Sequence, residues 1–394
     1  MYALLLIVIY LAFVSLGLGD SLLGSAWPVM HGSLGVPVVY AGFVSVTISF
    51  GTICSSLLSN RLTFKFGSKK VVLLGVLLTA AALFGFSVSG SFLLVWILAI
   101  PYGLGSGAVD ATINNYVALN YKARHMNLLH CFWGVGAMVG PYVMGLLLVR
   151  GFEWTDGYRT IVFFQLFVAL SLLVSFPLWK KPVLDVRGIK RIKPLSEVVK
   201  IRGVRLVLPA LFAYCAIEAT TILWASTFLV RVRGLSPETA AGFASLFFIG
   251  ITGGRFLSAF ILNAISVKTM IKAGICLVAV GIAFIFVRAA IDFFSLLGLV
   301  VVGLGCAPIF PSIIHSTPQN FGEDNSGALV GVQMASAYSG SALTPPLFGL
   351  LAGFFGLGIF PVYLTVFVVM LFVLTTLLNR AVGQAAPSQT LRKT

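Results

Sequence analysis

The sequence predicts an all-α integral membrane protein, with twelve transmembrane helices in two pseudo-symmetric six-helix bundles. Three observations carry that reading. The 394-residue chain is 59% hydrophobic and only 9% charged, with a mean hydropathy of +1.05, too apolar for a domain that folds in water. Its apolar runs repeatedly reach the about 20 residues a helix needs to cross a bilayer. Two pairs of motifs also recur at nearly one spacing: "GTICSSLLSN" from Gly51 matches "GRFLSAFILN" from Gly254, and "GPYVMGLL" matches "TPPLFGLL" through Pro141 and Pro345 and through Gly145 and Gly349.

In chain order the spans read as 3–30, 37–60, 70–90, 92–118, 124–149, 158–179, 203–230, 238–262, 268–288, 292–316, 326–352 and 358–380. Few period-two alternations interrupt them, which excludes an outer-membrane barrel. The first run has no basic leader and is followed by eleven more, so it is expected to be an uncleaved helix rather than a signal peptide. The repeats divide the chain into a bundle at 1–180, a central loop at 181–202, a second bundle at 203–380 and a tail at 381–394. Parallel repeats of this kind build the major facilitator architecture, with solute held near the midplane between the halves.

The Lys and Arg residues set the expected orientation. Arg61, Lys65, Lys69, Lys70, Lys122, Arg124, Lys268 and Lys272 fall in one set of loops, joined by Arg187, Lys190 and others of the central loop and by the tail. The opposite set holds only Arg150, Arg159, Arg231, Arg233 and Arg288. Positive charge stays inside, so both termini and the central loop are expected in the cytoplasm of a multi-pass plasma-membrane protein. The same asymmetry accounts for most of the +15 net charge. Dispersed in short loops, it gives no support for nucleic-acid binding. The five cysteines all lie in apolar spans without disulfide or metal-ligand spacing and read as small packing residues.

Polar residues inside apolar spans mark where chemistry belongs, because an ionisable group in the bilayer centre costs a few kcal/mol and is retained where it serves a cavity. The carboxylates are Asp20 in "SLGLGDSLLGSAWPVM", Asp110 in "GLGSGAVDATINNYV" and Glu218 in "YCAIEATTILW". Each is either functional or a buried structural hydrogen-bonding group. A carboxyl in a dry site holds its proton to higher pH, which suits a proton carrier. Asn114 and Asn115 lie one turn beyond Asp110, so at least one shares its face or serves as a helix-packing amide. His130 and Trp133 stack along one side of the fifth helix, where the indole offers either an aromatic face to a sugar ring or packing. Trp224 and Gln333 complete the expected solute-facing set, and His315 reads as a boundary residue. With no nucleotide loop, nucleophile triad or metal cluster in the sequence, neither an enzyme nor a cofactor is expected.

These residues together resemble the fucose permease group, the fucose–galactose–proton symporters of the major facilitator superfamily. The resemblance rests on Asp followed by Leu-Leu in "GDSLLGSAWPVM", on an acid four positions before Asn at Asp110 and Asn114, on "NLLHCFWGVGA", and on the Pro-containing "APIFPSIIHS". It implies proton-driven uptake of a sugar, the proton taken by Asp110 and linked to solute binding through Asp20, with His130 at the sugar. A proton is the implied coupling ion, with sodium the alternative, and the carrier is expected as a monomer in the lipid bilayer.

Two departures bear on the substrate. Gly17 and Gly19 replace amides before the helix-one acid, and Glu218 stands where that group has an amide. In "SNRLTFKFGSKK" the superfamily's Asp before Arg is Asn60, which cannot form the charge pair that latches one end state. Asn60, Arg61 and Arg255 are therefore the expected gating residues. The rival function is proton-coupled efflux, suggested by "GAMVGP" in helix five, a pattern that also serves helix packing. A non-transporting receptor ranks lower, lacking the large soluble domains expected of one.

Overall fold

The structure is a computed structural model that describes residues 2–37, 40–180, 195–235, 237–262, 264–287 and 293–383. The described residues are helical almost throughout. Helices α1 (Tyr2–Ser33), α2 (Ala41–Phe66), α3 (Ser68–Ser87), α4 (Phe92–Asn120), α5 (Ala123–Val149) and α6 (Trp154–Val174) are followed by a short α7 (Leu195–Val198). Then come α8 (Val204–Arg233), α9 (Pro237–Ile261), α10 (Val267–Phe286), α11 (Phe293–Cys306), α12 (Ile309–His315), α13 (Thr317–Phe321), α14 (Glu323–Phe355) and α15 (Phe360–Gly383). Much of the expected basic linker with Arg187 and Lys190, Asn263 of the second repeat motif, Arg288 and the tail beyond Gly383 lie outside the described residues.

Among the described residues, ten segments are long and apolar enough to cross a membrane, with α11 and α12 together forming one of them. The other two of the twelve are α9, apolar over Leu246–Ile261, and α14, whose 33 residues include Gln333, several serines and Thr344. Exposure is inverted relative to a water-soluble protein. On α6, Phe163 is 73% exposed while Gln165 two residues later is fully buried. An apolar outside with polar groups turned inward is the arrangement that lipid imposes on a helical bundle.

The chain forms two compact units. The first comprises Met1–Tyr116 and Leu128–Ile192, the second Val117–Asn127 and Lys193–Thr394. In the first, α6 packs on α1 and α3, around a cluster that includes Leu22, Trp27, Phe86, Tyr102, Met144 and Tyr158. In the second, α8 packs on α14 and α15, and α11 on α9 and α10. The repeat seen in sequence reappears as a repeated contact. A Cβ on Gly51 would stand 3.1 Å from the Ile100 carbonyl and the Leu104 amide of α4, and one on Gly254 would stand 3.2 Å from Leu304 of α11. Both glycines let two helix backbones approach where a side chain would hold them apart.

One sequence expectation is corrected. Span two was placed at 37–60, with a loop running on through "SNRLTFKFGSKK". Instead α2 continues to Phe66 and turns into α3 at Gly67, whose φ of 81° suits glycine and whose N–H bonds to the Thr63 carbonyl. Hydropathy marks where lipid ends, whereas the helix continues past it. Span ten appears as the single crossing segment Phe293–His315, built from α11 and α12 with a break at Ala307–Pro308, where Pro308 has no N–H to continue the ladder. Helix α1 runs unbroken through Gly17, Gly19, Gly24 and Pro28.

Candidate functional site

The first unit brings Asp20 into contact with two donors from different helices. The Tyr102 hydroxyl of α4 donates to Asp20 Oδ1 at 2.8 Å, and the Trp133 indole N–H of α5 donates to Oδ2 at 3.1 Å. Tyr102 is buried while Asp20 is exposed, so the carboxylate is held on one side and open on the other. The flanking glycines make this possible. A Cβ on Gly17 would lie 2.1 Å from the Trp133 carbonyl, and one on Gly19 would lie 2.5 Å from the Tyr102 hydroxyl oxygen. From the α5 side, Gly136 and Gly140 sit equally close to Val14, Leu18 and Ser21. Helix packing thus fully occupies the glycines of "GAMVGP".

A second constellation lies farther along α5 toward its N-terminus. Asn114 Nδ2 donates to Asp110 Oδ1 at 2.8 Å and approaches the Asp110 carbonyl at 3.0 Å. The Asn114 Oδ1 faces His130 Nε2 at 3.0 Å. Asp110 is 9% exposed and Asn114 fully buried, so the three side chains form a sequestered chain of acid, amide and imidazole. Phe13 of α1 meets the His130 ring edge-on, with centroids 5.5 Å apart. Helix α1 therefore offers Phe13 to His130 and, two turns on, Asp20 to Trp133. Of the two amides beyond Asp110, Asn114 turns to the acid. Asn115 is half-buried.

In the second unit, Glu218 and Arg255 are each other's partners, with Arg255 Nη2 to Glu218 Oε1 at 3.2 Å. The guanidinium is 4% and the carboxylate 18% exposed. Sequence reasoning had placed one at the solute and the other at a gate. Arg255 lies inside α9, within the span expected at 238–262. Trp224 donates its indole N–H to the Pro345 carbonyl at 2.9 Å and meets Phe348 edge-on. Gln333 is fully buried and accepts from the Thr317 hydroxyl at 2.8 Å. His315 ends α12, buried, with Nε2 2.9 Å from the Tyr121 carbonyl. Asn60 is half-buried and Arg61 exposed in the last two turns of α2.

Tyr102 is the residue that sequence reasoning missed. Its signal was a polar stripe, because Tyr102, Ser106, Asp110 and Asn114 recur every four residues along α4. Residues four apart on a helix are neighbours. Among the described residues, no group of three or more His, Cys, Asp or Glu side chains comes together to hold a metal ion.

Chemically, the first unit offers an open carboxylate held by neutral donors and a buried carboxyl tied to an imidazole. The second offers a carboxylate whose charge is balanced in place. An open carboxylate accepts hydrogen bonds strongly when ionised and weakly when protonated. Its affinity for a hydroxyl-bearing solute therefore depends on whether it carries a proton.

Comparison with known proteins fixes the family. The profile of the Major Facilitator Superfamily matches residues 9–345. Bypass of stop codon protein 6 of Saccharomyces cerevisiae is 23% identical over 386 residues, spanning 89% of this chain and 77% of that protein. The hexuronate transporter of Bacillus subtilis is 24% identical over 270 residues, 64% of this chain and 63% of its own. The crystal structure of the E. coli fucose:proton symporter FucP superposes with a TM-score of 0.79 at 16% identity, covering 95% of this chain and 98% of that one. The chain belongs to the Major Facilitator Superfamily and is a multi-pass membrane transporter, not an enzyme.

Proposed function

We propose that the protein is a proton-coupled symporter that carries a sugar or similar polyhydroxylated solute by alternating access. The observation that carries the reading is the open Asp20 carboxylate between Tyr102 and Trp133. A hydroxyl-rich solute meets there an acceptor and an indole face, the chemistry that suits a sugar ring. Asp110 takes the coupling proton in its buried setting, and His130, joined to it through Asn114, carries that state toward the solute. Glu218, 3.2 Å from the Arg255 guanidinium, contributes acceptors.

The reading draws support from FucP, named a fucose:proton symporter, and from the relative named a hexuronate transporter. Efflux lost its sequence motif once the "GAMVGP" glycines were accounted for by helix packing. The protein works as a monomer in the plasma membrane with both termini in the cytoplasm, where the basic loops place them.

Counterflow in proteoliposomes tests the reading. Vesicles preloaded with one unlabelled sugar from a panel of hexoses, pentoses and hexuronates are diluted into trace radiolabelled sugar. Transient accumulation of label is expected for at least one member. Its absence across the panel, with uptake of a hydrophobic cation instead, would replace this function with efflux.

A further inference from the structure

The second unit carries a groove where α10 begins and α15 ends. It encloses about 350 Å³ and is lined by Lys268, Lys272, Ile275, Phe372, Thr376 and Asn379, among others. A smaller recess sharing Lys268 and Asn379 continues it to Ser316 and Asn320. The sequence reading used Lys268 and Lys272 only as loop charges that orient the chain. The structure instead puts both inside α10, one turn apart, so that they share a face.

The lining is graded along the helix axes. Lys268 and Asn379 stand at the rim, Lys272 and Thr376 one turn in, and Ile275 and Phe372 one turn deeper. From Lys268 to Ile275 is seven residues, about 10 Å along a helix. The rim adds the N-terminal end of α10, where Ser266 caps the Thr269 amide and the helix dipole favours an anion. Both lysines are exposed, and among the described residues neither enters an ion pair. No acidic side chain lines the groove. At its floor Phe372 is 40% exposed. Both helices that line the groove are long and apolar enough to cross a membrane, so its inner end lies at lipid depth.

Cations and amides over an apolar floor that faces hydrocarbon match a phospholipid, phosphate at the rim and chains below. A soluble anion has no use for that floor. We propose that this groove binds an anionic phospholipid, its phosphodiester held by Lys268 and Lys272 and its acyl chains lying against Phe372. The site is separate from Asp20 and Asp110 and does not depend on what the transporter carries.

Native mass spectrometry of the full-length protein in detergent tests it, titrating phosphatidylglycerol and phosphatidylcholine of identical chains. Phosphatidylglycerol adducts are expected to persist at lower lipid concentration than phosphatidylcholine adducts. Lys268→Gln and Lys272→Gln should each weaken phosphatidylglycerol retention by about 5-fold and together by about 30-fold, from the usual worth of a lysine near an anionic surface. Phosphatidylcholine retention should stay unchanged, Lys268→Arg with Lys272→Arg should restore the preference, and Lys65→Gln in the first unit should leave it intact. Equal retention of the two lipids, wild-type retention in the double Gln variant, or the same loss in Lys65→Gln would overturn the proposal. Competition by millimolar glycerol phosphate as effective as the lipid's would make this a soluble-anion site and overturn it equally.

Discussion

Replacing Gly17 by alanine puts a methyl carbon 2.1 Å from the Trp133 carbonyl oxygen and 2.8 Å from the Ala137 amide nitrogen. Both neighbours are backbone, so no side-chain rotation relieves the overlap. Carbon and oxygen in contact need roughly a further 1 Å, and α1 and α5 must part by about that much. Overpacking of this kind costs about 1–3 kcal/mol, set against about 1 kcal/mol of helix propensity that alanine recovers from glycine. The same shift carries the Trp133 indole away from Asp20, from 3.1 Å to beyond hydrogen-bonding reach.

Gly24 supplies the internal control. It lies about two turns farther along the same helix, exposed, with nothing within 4 Å of a new Cβ. Gly24→Ala should therefore gain helix propensity, and the two variants should differ by about 1–3 kcal/mol, the overpacking cost that only Gly17→Ala bears. Thermal unfolding of the purified protein, followed by loss of the monodisperse peak on size exclusion, measures this directly. The melting temperature should fall in Gly17→Ala and hold or rise in Gly24→Ala, with solute affinity lost only in the former. Equal melting in the two variants would refute the packing argument, and intact affinity in Gly17→Ala would separate the glycine from the site.

Other expected outcomes concern the charges. Asp110→Asn should abolish solute accumulation driven by a pH gradient while leaving exchange measurable, because the amide has the shape of a protonated carboxyl. Accumulation that still responds to the gradient would remove Asp110 from coupling. Asp20→Asn should weaken solute binding by about 1.5–3 kcal/mol, the range for hydrogen bonds to charged groups, and flatten its dependence between about pH 5 and 8. Calorimetry across that range reads both effects, and unchanged binding would leave Asp20 structural. Glu218→Gln removes the carboxylate charge 3.2 Å from the buried Arg255 guanidinium. Breaking a buried pair costs about 3–5 kcal/mol, reduced here because the carboxylate is partly exposed. The double variant Glu218→Met with Arg255→Met should recover most of that loss in a thermal melt.

What the sequence disclosed follows from cost. A carboxylate in an apolar run is expensive, so Asp20, Asp110 and Glu218 stood out without coordinates, and His130 and Trp133 followed from spacing on one helix. Tyr102 did not stand out, because a tyrosine in a membrane helix is cheap and its hydroxyl acquires meaning only beside Asp20. The Glu218–Arg255 pair was illegible for another reason. The two residues lie 37 positions apart on separate helices, and periodicity speaks only within a helix. Hydropathy likewise found α2 but not its last turns past Asn60, and it read α11 and α12 as one because Pro308 interrupts the backbone without changing the apolar character.

The Asp110–Asn114–His130 chain has a consequence of polarity. A side-chain amide has a donating end and an accepting end, and here the donating end faces the acid, leaving the oxygen toward the imidazole. His130 must then carry hydrogen on Nε2. The amide cannot hand a proton along, so Asn114 is an insulator for protons while transmitting their presence. A protonated Asp110 would add a donor to the accepting oxygen it keeps, and where that donor faced Asn114 the amide would satisfy both neighbours by turning over. Its NH₂ group would then face Nε2, which accepts only in the tautomer that carries its hydrogen on Nδ1. One proton on the acid is thus written as a change of tautomer one residue away, and nitrogen-15 resonances of the His130 ring would read the carrier's loading state like a two-position needle.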